Sequence, residues 1–205
     1  MTVHVPILLK PILEAVTEPF KKLPAEAETH WMVDCTLGGG GHTNAFLETF
    51  AADPQLSKHR VLAFDQDAGA IERARTRFAK EISRGRLELV HAPFSQAGDF
   101  LKDRPVLGLM ADLGFSSDQL EDAERGLSFM RAGPLDMRLD PTRGQSCREY
   151  LAQVNEKELA DAIFELGEDR FSRRIAGAII QSRREGRLPS TTTELAELVG
   201  RAVPP

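Results

Sequence analysis

Two rhythms of apolar residues alternate along the first half of the chain. Short, mainly apolar runs at Trp31 to Cys35, Val61-Leu62-Ala63-Phe64, Leu87-Glu88-Leu89-Val90 and Val106 to Ala111 read as buried strands. Between them the apolar positions take helical spacing: His42 to Phe50, then Ala68 to Ala79 with Ala70, Ile71, Ala74 and Phe78 on one side. A short helix opens at Pro93-Phe94-Ser95 and runs through Leu101. Strand followed by helix, repeated, predicts parallel crossovers and an α/β sheet covered on both faces. After Leu113 the rhythm is lost. Ser116 to Gly144 is rich in Asp, Arg, Gly and Pro and is too long for an ordinary connection, so it is functional or disordered. Leu127, Phe129, Met130, Leu135 and Met137 argue for order there. From Cys147 onward the pattern is wholly helical. Ser146 can cap a helix through Leu151, and Asn155 with Glu158 opens one over Lys157 to Leu166. Arg170 to Arg183 carries a stripe of Phe171, Ile175, Ala178 and Ile179, and Ser190 to Thr193 precede a last helix from Glu194 to about Ala202. The expected organisation is a partial doubly wound sheet over residues 1–115, followed by an arginine-rich loop and a helical domain over 116–205.

One junction in this pattern carries chemistry. Val33-Asp34-Cys35-Thr36-Leu37-Gly38-Gly39-Gly40-Gly41-His42 joins the first strand to the first helix. Glycine removes the Cβ that would keep a ligand off the backbone and tolerates positive φ. A strand, a glycine turn and a helix in that order hold nucleotide-like ligands. A phosphate loop would need Gly-Lys-Ser/Thr, and His42-Thr43 offers no lysine. A nicotinamide fingerprint needs wider glycine spacing. Asp34, an acid at the end of the first strand, can take the charged amino-acid end of S-adenosylmethionine.

Composition narrows the class. With 205 residues, 41% hydrophobic and 28% charged, the chain suits a globular protein with one substantial core or one domain carrying a smaller one. No apolar run reaches membrane-spanning length, no secretory signal is evident, and Cys35 and Cys147 support neither a zinc cluster nor a disulfide framework, so the cytoplasm is the expected compartment. A net charge of −5 argues against a uniformly basic nucleic-acid surface but leaves room for a local one. Cations beyond Lys102 are almost all arginine, whose planar fork suits phosphates and base edges.

Candidate residues cluster at the predicted strand ends. Asp65 can accept the hydroxyls of a ribose, while Asp67 suits a helix cap. Phe94 can pack on an adenine or in the core. Asp112-Leu113-Gly114-Phe115 follows the fourth strand. A carboxylate there can accept an N–H of an exocyclic amine, and an aromatic ring can stack on the base that carries it. Asp112 could equally bind the cofactor's amino group or cap a turn. Arg170, Arg173, Arg174, Arg183, Arg184 and Arg187 oppose Glu185 alone, a balance suited to RNA backbone contact or to a solvated helix face. His4 and His42 lie nearest the pocket in sequence, with the partners of neither a triad nor a metal site.

These motifs fall together in the order of a known family. To them are added Phe64-Asp65-Gln66-Asp67, Gln119-Leu120, the long Asp122 to Arg131 and Gly133 to Pro141 segments, Gly167 to Phe171 and Arg174-Ile175-Ala176. From His4-Val5-Pro6 to its last residues the chain resembles the bacterial 16S ribosomal RNA cytosine-N4 methyltransferases (MraW, also RsmH). The resemblance implies a Rossmann-like catalytic domain, an inserted helical domain and S-adenosylmethionine as cofactor. By motif its contacts would be Gly40, Gly41, His42, Asp65, Phe94, Asp112 and Gln119, with Asp112 and Phe115 as the catalytic expectation and the arginines from Arg170 to Arg184 as the RNA-binding one. The implied partners are 16S ribosomal RNA or the small ribosomal subunit, with a homodimer possible in principle and no membrane. The family's Ser-Phe-His-Ser-Leu-Glu-Asp segment has no match, so a sheet without its C-terminal return is expected. The competing expectation is a non-catalytic fragment that binds cofactor or ribosome.

Overall fold

The structure is a computed structural model describing residues 7–204, with Ser117 and Asp118 described by their backbone alone. His4 lies outside the described residues. Four strands, β1 (Trp31–Asp34), β2 (Arg60–Asp65), β3 (Leu87–His91) and β4 (Val106–Met110), form one parallel sheet in the order β3-β2-β1-β4. The chain steps outward from β1 to β3, then returns past β1 to add β4. This reversal beside β1 is the switch point at which doubly wound sheets bind ligands, at the carboxyl ends of the strands.

Alternation along the strands divides the core into two layers. Met32, Val61 and Ala63 face one side, where α1 (Leu9–Lys21), α2 (Gly41–Ala52), α3 (Ala68–Arg77) and α4 (Ala79–Ser83) supply Phe20, Phe46, Phe50, Ile71 and Phe78. Val33, Leu62 and Phe64 face the other, against Ala97 and Leu101 of α5 (Ala97–Leu101). Both faces are covered, as the strand–helix alternation predicts, but the second thinly. The helix expected over Ala68 to Ala79 ends early. Phe78 is the C-cap of α3 and the N-cap of α4, with φ −106° and ψ 22°. The segment from Pro93 begins as a 3-10 turn over Phe94–Gln96 before α5.

The hydrophobic pattern did not single out α1. Pro11 lies in its first turn, where a missing N–H costs little, and Pro19 lies near its end. Ile12, Leu13, Val16 and Phe20 pack on the sheet. Gly108 of β4 makes room for them: a Cβ there would lie 2.7 Å from Val16 Cγ1 and 2.9 Å from Met32 Sδ.

A second compact unit begins after Ser116. It contains α6 (Ser117–Glu121), α7 (Cys147–Gln153), α8 (Glu156–Gly167), α9 (Ser172–Arg184) and α10 (Thr192–Ala202). Its start signals are those the sequence offers. Ser146 and Glu149 form a capping box, Asn155 accepts the Glu158 N–H at 2.9 Å, and Thr191 with Glu194 forms a second box. Leu151, Leu159, Ile175, Ile179 and Ile180 make its core.

The stretch between α6 and α7 is ordered, but chiefly through its backbone. Leu135 N–H donates to Ser190 O (3.0 Å), Thr192 N–H to Gly133 O (3.0 Å) and Cys147 N–H to Asp136 O (2.7 Å). Gly126 and Gly133 let main chains touch: a Cβ on either would overlap a carbonyl oxygen, of Pro134 or of Ala123. Of the five apolar residues expected to order this stretch, Leu135 is buried and Leu127 half-buried, while Phe129, Met130 and Met137 face solvent.

Candidate active site

Backbone bonds to both neighbouring strands hold the glycine turn. Cys35 N–H donates to Met110 O of β4 (2.9 Å), and Leu37 N–H to Phe64 O of β2 (2.9 Å). Leu37 is buried and anchors the turn in the core. Gly40 takes φ 73° and packs so closely that a Cβ would lie 2.7 Å from the Phe78 ring. Arg77 Nη1 donates to Gly39 O at 2.7 Å, with its guanidinium 4.9 Å from the Phe78 ring centre. Gly39 itself has open space where a Cβ would point. The turn is therefore braced from behind and bare in front.

Beyond Gly40 the chain enters α2 without a side-chain cap. The first intrahelical bond runs from Asn44 N–H to Gly40 O (3.0 Å). The N–H groups of Gly41, His42 and Thr43 precede it and lack intrahelical acceptors, so the positive end of the helix dipole meets the turn. An anionic group placed there finds both donors and a favourable field.

Asp34 does something other than its position suggests. It is fully buried: Oδ2 accepts the Thr43 hydroxyl at 2.7 Å and Oδ1 the Thr36 N–H at 3.0 Å. Burial pushes its carboxyl above the usual range, and these two bonds oppose that push. Asp34 ties the turn to the first turn of α2 and offers no surface to a ligand. Thr43, nine residues on, is its partner, a pairing that composition and periodicity do not display.

Asp65 ends β2 beside the turn. Its Oδ2 accepts Gly38 N–H and its Oδ1 accepts Asp67 N–H, each at 2.8 Å. Burial raises its pKa, and the two N–H bonds favour the ionised form. Asp67 caps α3 by accepting Gly69 N–H at 2.8 Å, the role expected of it. Phe94 follows β3 two residues past Ala92, whose N–H donates to Asp65 O (3.0 Å), and its ring is exposed. Asp112 follows β4; its N–H donates to Thr36 Oγ1 at 2.7 Å, and its side chain is 44% exposed. One carboxylate oxygen lies 4.0 Å from Nδ1 of the buried His42, whose Nε2 is 3.2 Å from Ile7 O. Phe115 lies three residues on, also exposed. Burial and the charge of Asp34 push the Cys35 thiol up and keep it protonated.

The fold thus brings the glycine turn, His42, Asp65, Phe94 and Asp112 to the carboxyl ends of four adjacent strands. Gln119 belongs to the second unit, buried in α6. So do the arginines. Arg173, Arg174 and Arg184 are exposed, and Arg170 is exposed with its guanidinium 4.7 Å from the Phe171 ring centre. Arg183 is different: its Nη1 donates to Leu151 O (2.9 Å) and Val154 O (2.7 Å), closing the C-terminus of α7. Its first task is structural. Two cavities lie away from the strand ends: one of ≈ 360 Å³ beside α10, lined by Arg187, Glu194 and Arg201, and one of ≈ 320 Å³ beside α2, lined by Glu48, Arg77 and Arg86.

The MraW methylase family model matches residues 1–205. The chain belongs to that family. As an MraW-family protein it is a methyltransferase of the S-adenosylmethionine-dependent kind, on a Rossmann-like α/β sheet. Its strand ends fit that cofactor. Free N–H groups at the start of α2 suit a carboxylate, the face over Gly39 has room for a ligand, the Asp65 carboxylate suits two hydroxyls, and the Phe94 ring is open to a purine. None of its described helices is long and apolar enough to cross a membrane.

Proposed function

We propose that the chain methylates the exocyclic N4 of a cytosine in 16S ribosomal RNA of the small subunit, with Asp112 and Phe115 at the reacting amine. The observation that carries this reading is the position of Asp112. It stands at the switch point between β1 and β4, pinned through its backbone to Thr36, with an exposed carboxylate and an exposed aromatic ring three residues away.

In this reading the N–H groups of Gly41 and His42 hold the methionine end of the cofactor beside Gly40, whose own N–H donates to Leu37 O; Asp65 holds its ribose and Phe94 its adenine. Gln119 is a further contact by family motif. S-adenosylmethionine, when bound, supplies an electrophilic methyl group on a sulfonium. The cytosine amine is a poor nucleophile because its lone pair is delocalised into the ring. Asp112 accepts one of its N–H hydrogens, which returns electron density to nitrogen, and then takes the proton that the methylated amine sheds. His42, 4.0 Å from Asp112 and bonded to Ile7 O, limits where that carboxylate can swing. Phe115 stacks on the extruded base. Positioning supplies most of the acceleration, since methyl transfer needs in-line approach more than acid–base chemistry. Arg170, Arg173, Arg174 and Arg184 contact phosphates. Among the described residues, the arginines of their unit seen in ion pairs are Arg125, Arg138, Arg143, Arg187 and Arg201.

The test is methyl incorporation from labelled S-adenosylmethionine into small-subunit RNA, followed by nucleoside chromatography for N4-methylcytidine. Asp112→Ala should lower the rate by roughly a hundredfold or more with unchanged circular dichroism. Wild-type activity in that variant removes Asp112 from the mechanism. Calorimetric binding of cofactor by a chain that transfers no methyl group would favour a binding role.

A further inference from the structure

Of the three large apolar side chains that the loop between α6 and α7 exposes, Phe129 and Met130 stand furthest out, ahead of Met137. Phe129 is 69% exposed and Met130 81%. Such residues on a mobile loop would be unremarkable. Here the backbone is fixed on both sides of them. Met130 N–H donates to Ser128 Oγ at 3.2 Å, Thr192 Oγ1 donates to Arg131 O at 3.1 Å, and Thr192 N–H donates to Gly133 O at 3.0 Å. Gly126 and Gly133 lock the base of the loop by main-chain contact. The entropy of ordering this segment is thus lost on folding and is not lost again on binding.

Charge distinguishes the neighbourhood further. Arg125, Arg138 and Arg143 each pair with a nearby aspartate: Asp122, Asp136 and Asp140. Arg131, next to the apolar pair, instead donates to a backbone carbonyl, that of Glu121, at 3.2 Å. Its full charge remains available to an anion. Two exposed side chains are far too little area for a stable protein interface, which needs about 800 Å² per partner.

Building on the RNA reading above, we propose that Phe129 and Met130 form a rigid apolar wedge that enters the base stack of the RNA substrate, with Arg131 on the adjoining phosphate. Apolar side chains inserted between bases unstack them, and an aromatic ring replaces the lost stacking. A wedge of this kind holds open the strand from which a base has been extruded. Phe129 and Met130 are positioning residues in this scheme and do not touch the reacting atoms.

The test uses a short RNA hairpin with 2-aminopurine beside the loop cytosine. Binding of the wild-type chain should raise its fluorescence as the base unstacks. The double variant Phe129→Ala, Met130→Ala should bind about tenfold more weakly and give no rise, with an unchanged thermal unfolding curve. Phe129→Trp should retain the signal. Equal binding and equal fluorescence change in the double variant would overturn the proposal. So would a wild-type dimer in sedimentation that the double variant abolishes, since the pair would then join two copies of this chain. Unstacking by a wild-type chain that transfers no methyl group to the RNA would support the wedge while removing the reading of an RNA cytosine as methyl acceptor.

Discussion

The glycine turn after β1 and the loop between α6 and α7 are both irregular, both ordered and ordered in opposite ways. At the turn, side chains add bracing to the backbone bonds that tie Cys35 to β4 and Leu37 to β2. Asp34 grips Thr43, Asp65 grips Gly38, and Arg77 with Phe78 backs Gly39 and Gly40. What remains free is backbone. In the long loop the backbone braces itself through Gly126, Gly133 and the strand-like bridge between Pro134 and Thr191. What remains free is side chain. The segment that offers N–H groups takes its extra bracing from side chains; the segment that offers rings takes its own chiefly from the main chain.

Three substitutions test this contrast. The largest effect is expected at Gly126→Ala. It combines an unfavourable φ of 62° with overlap of the Pro134 carbonyl, and should cost roughly 3 kcal/mol or more, read by denaturant unfolding of the second unit. Next comes Thr43→Val, which keeps the shape but leaves a buried Asp34 oxygen without its donor. A loss of about 1–3 kcal/mol should accompany weaker cofactor binding. Gly39→Ala should separate the two properties. Its Cβ meets nothing and its φ is not left-handed, so stability should move by less than about 0.5 kcal/mol while calorimetric affinity for S-adenosylmethionine falls roughly tenfold. An equally large stability loss at Gly39 would end the idea that this turn is bare by design.

The smallest effect concerns pH. His59 is buried against Phe20 and Phe50, and its Nδ1 accepts the His30 N–H at 3.1 Å. Burial first, then the charges of Lys58 and His30, holds its pKa below the ordinary value of 6.5. The unfolded chain therefore binds the proton more readily. The contribution of His59 to stability is present above about pH 6.5 and is lost as pH falls through the lower folded value. His59→Gln should flatten that part of the stability–pH curve; an unchanged slope would assign it to another group.

Much of the first unit was legible because its strands are mainly apolar runs, three of them ended or closely followed by Asp34, Asp65 and Asp112, and because glycine spacing marks the turn. Helix starts in the second unit were equally plain at Ser146, Asn155 and Thr191. Other features depend on distant partners. Asp34 reads as a ligand contact until Thr43 is seen to close on it. Arg183 reads like its neighbours until the ends of Leu151 and Val154 appear beside it. The helical stripe of α1 is masked by its two prolines, and Gly108 gains its meaning only from Val16 lying above it. Phe129 and Met130 argue for order in the sequence, but apolar character gives no address without the backbone that aims it.

The ring beneath Gly40 has a consequence for how sequences of this kind vary. Phe78 has no place in the ligand-facing surface, yet a change there releases the support of the turn and would register as lost affinity. A survey of substitutions scored by cofactor binding would count Phe78 among the contact residues. Across relatives, positions 40 and 78 should change together. A smaller residue at 78 is the background in which alanine at 40 clears its neighbour, and even there the left-handed backbone keeps glycine ahead. Two positions thirty-eight residues apart thus share one evolutionary constraint.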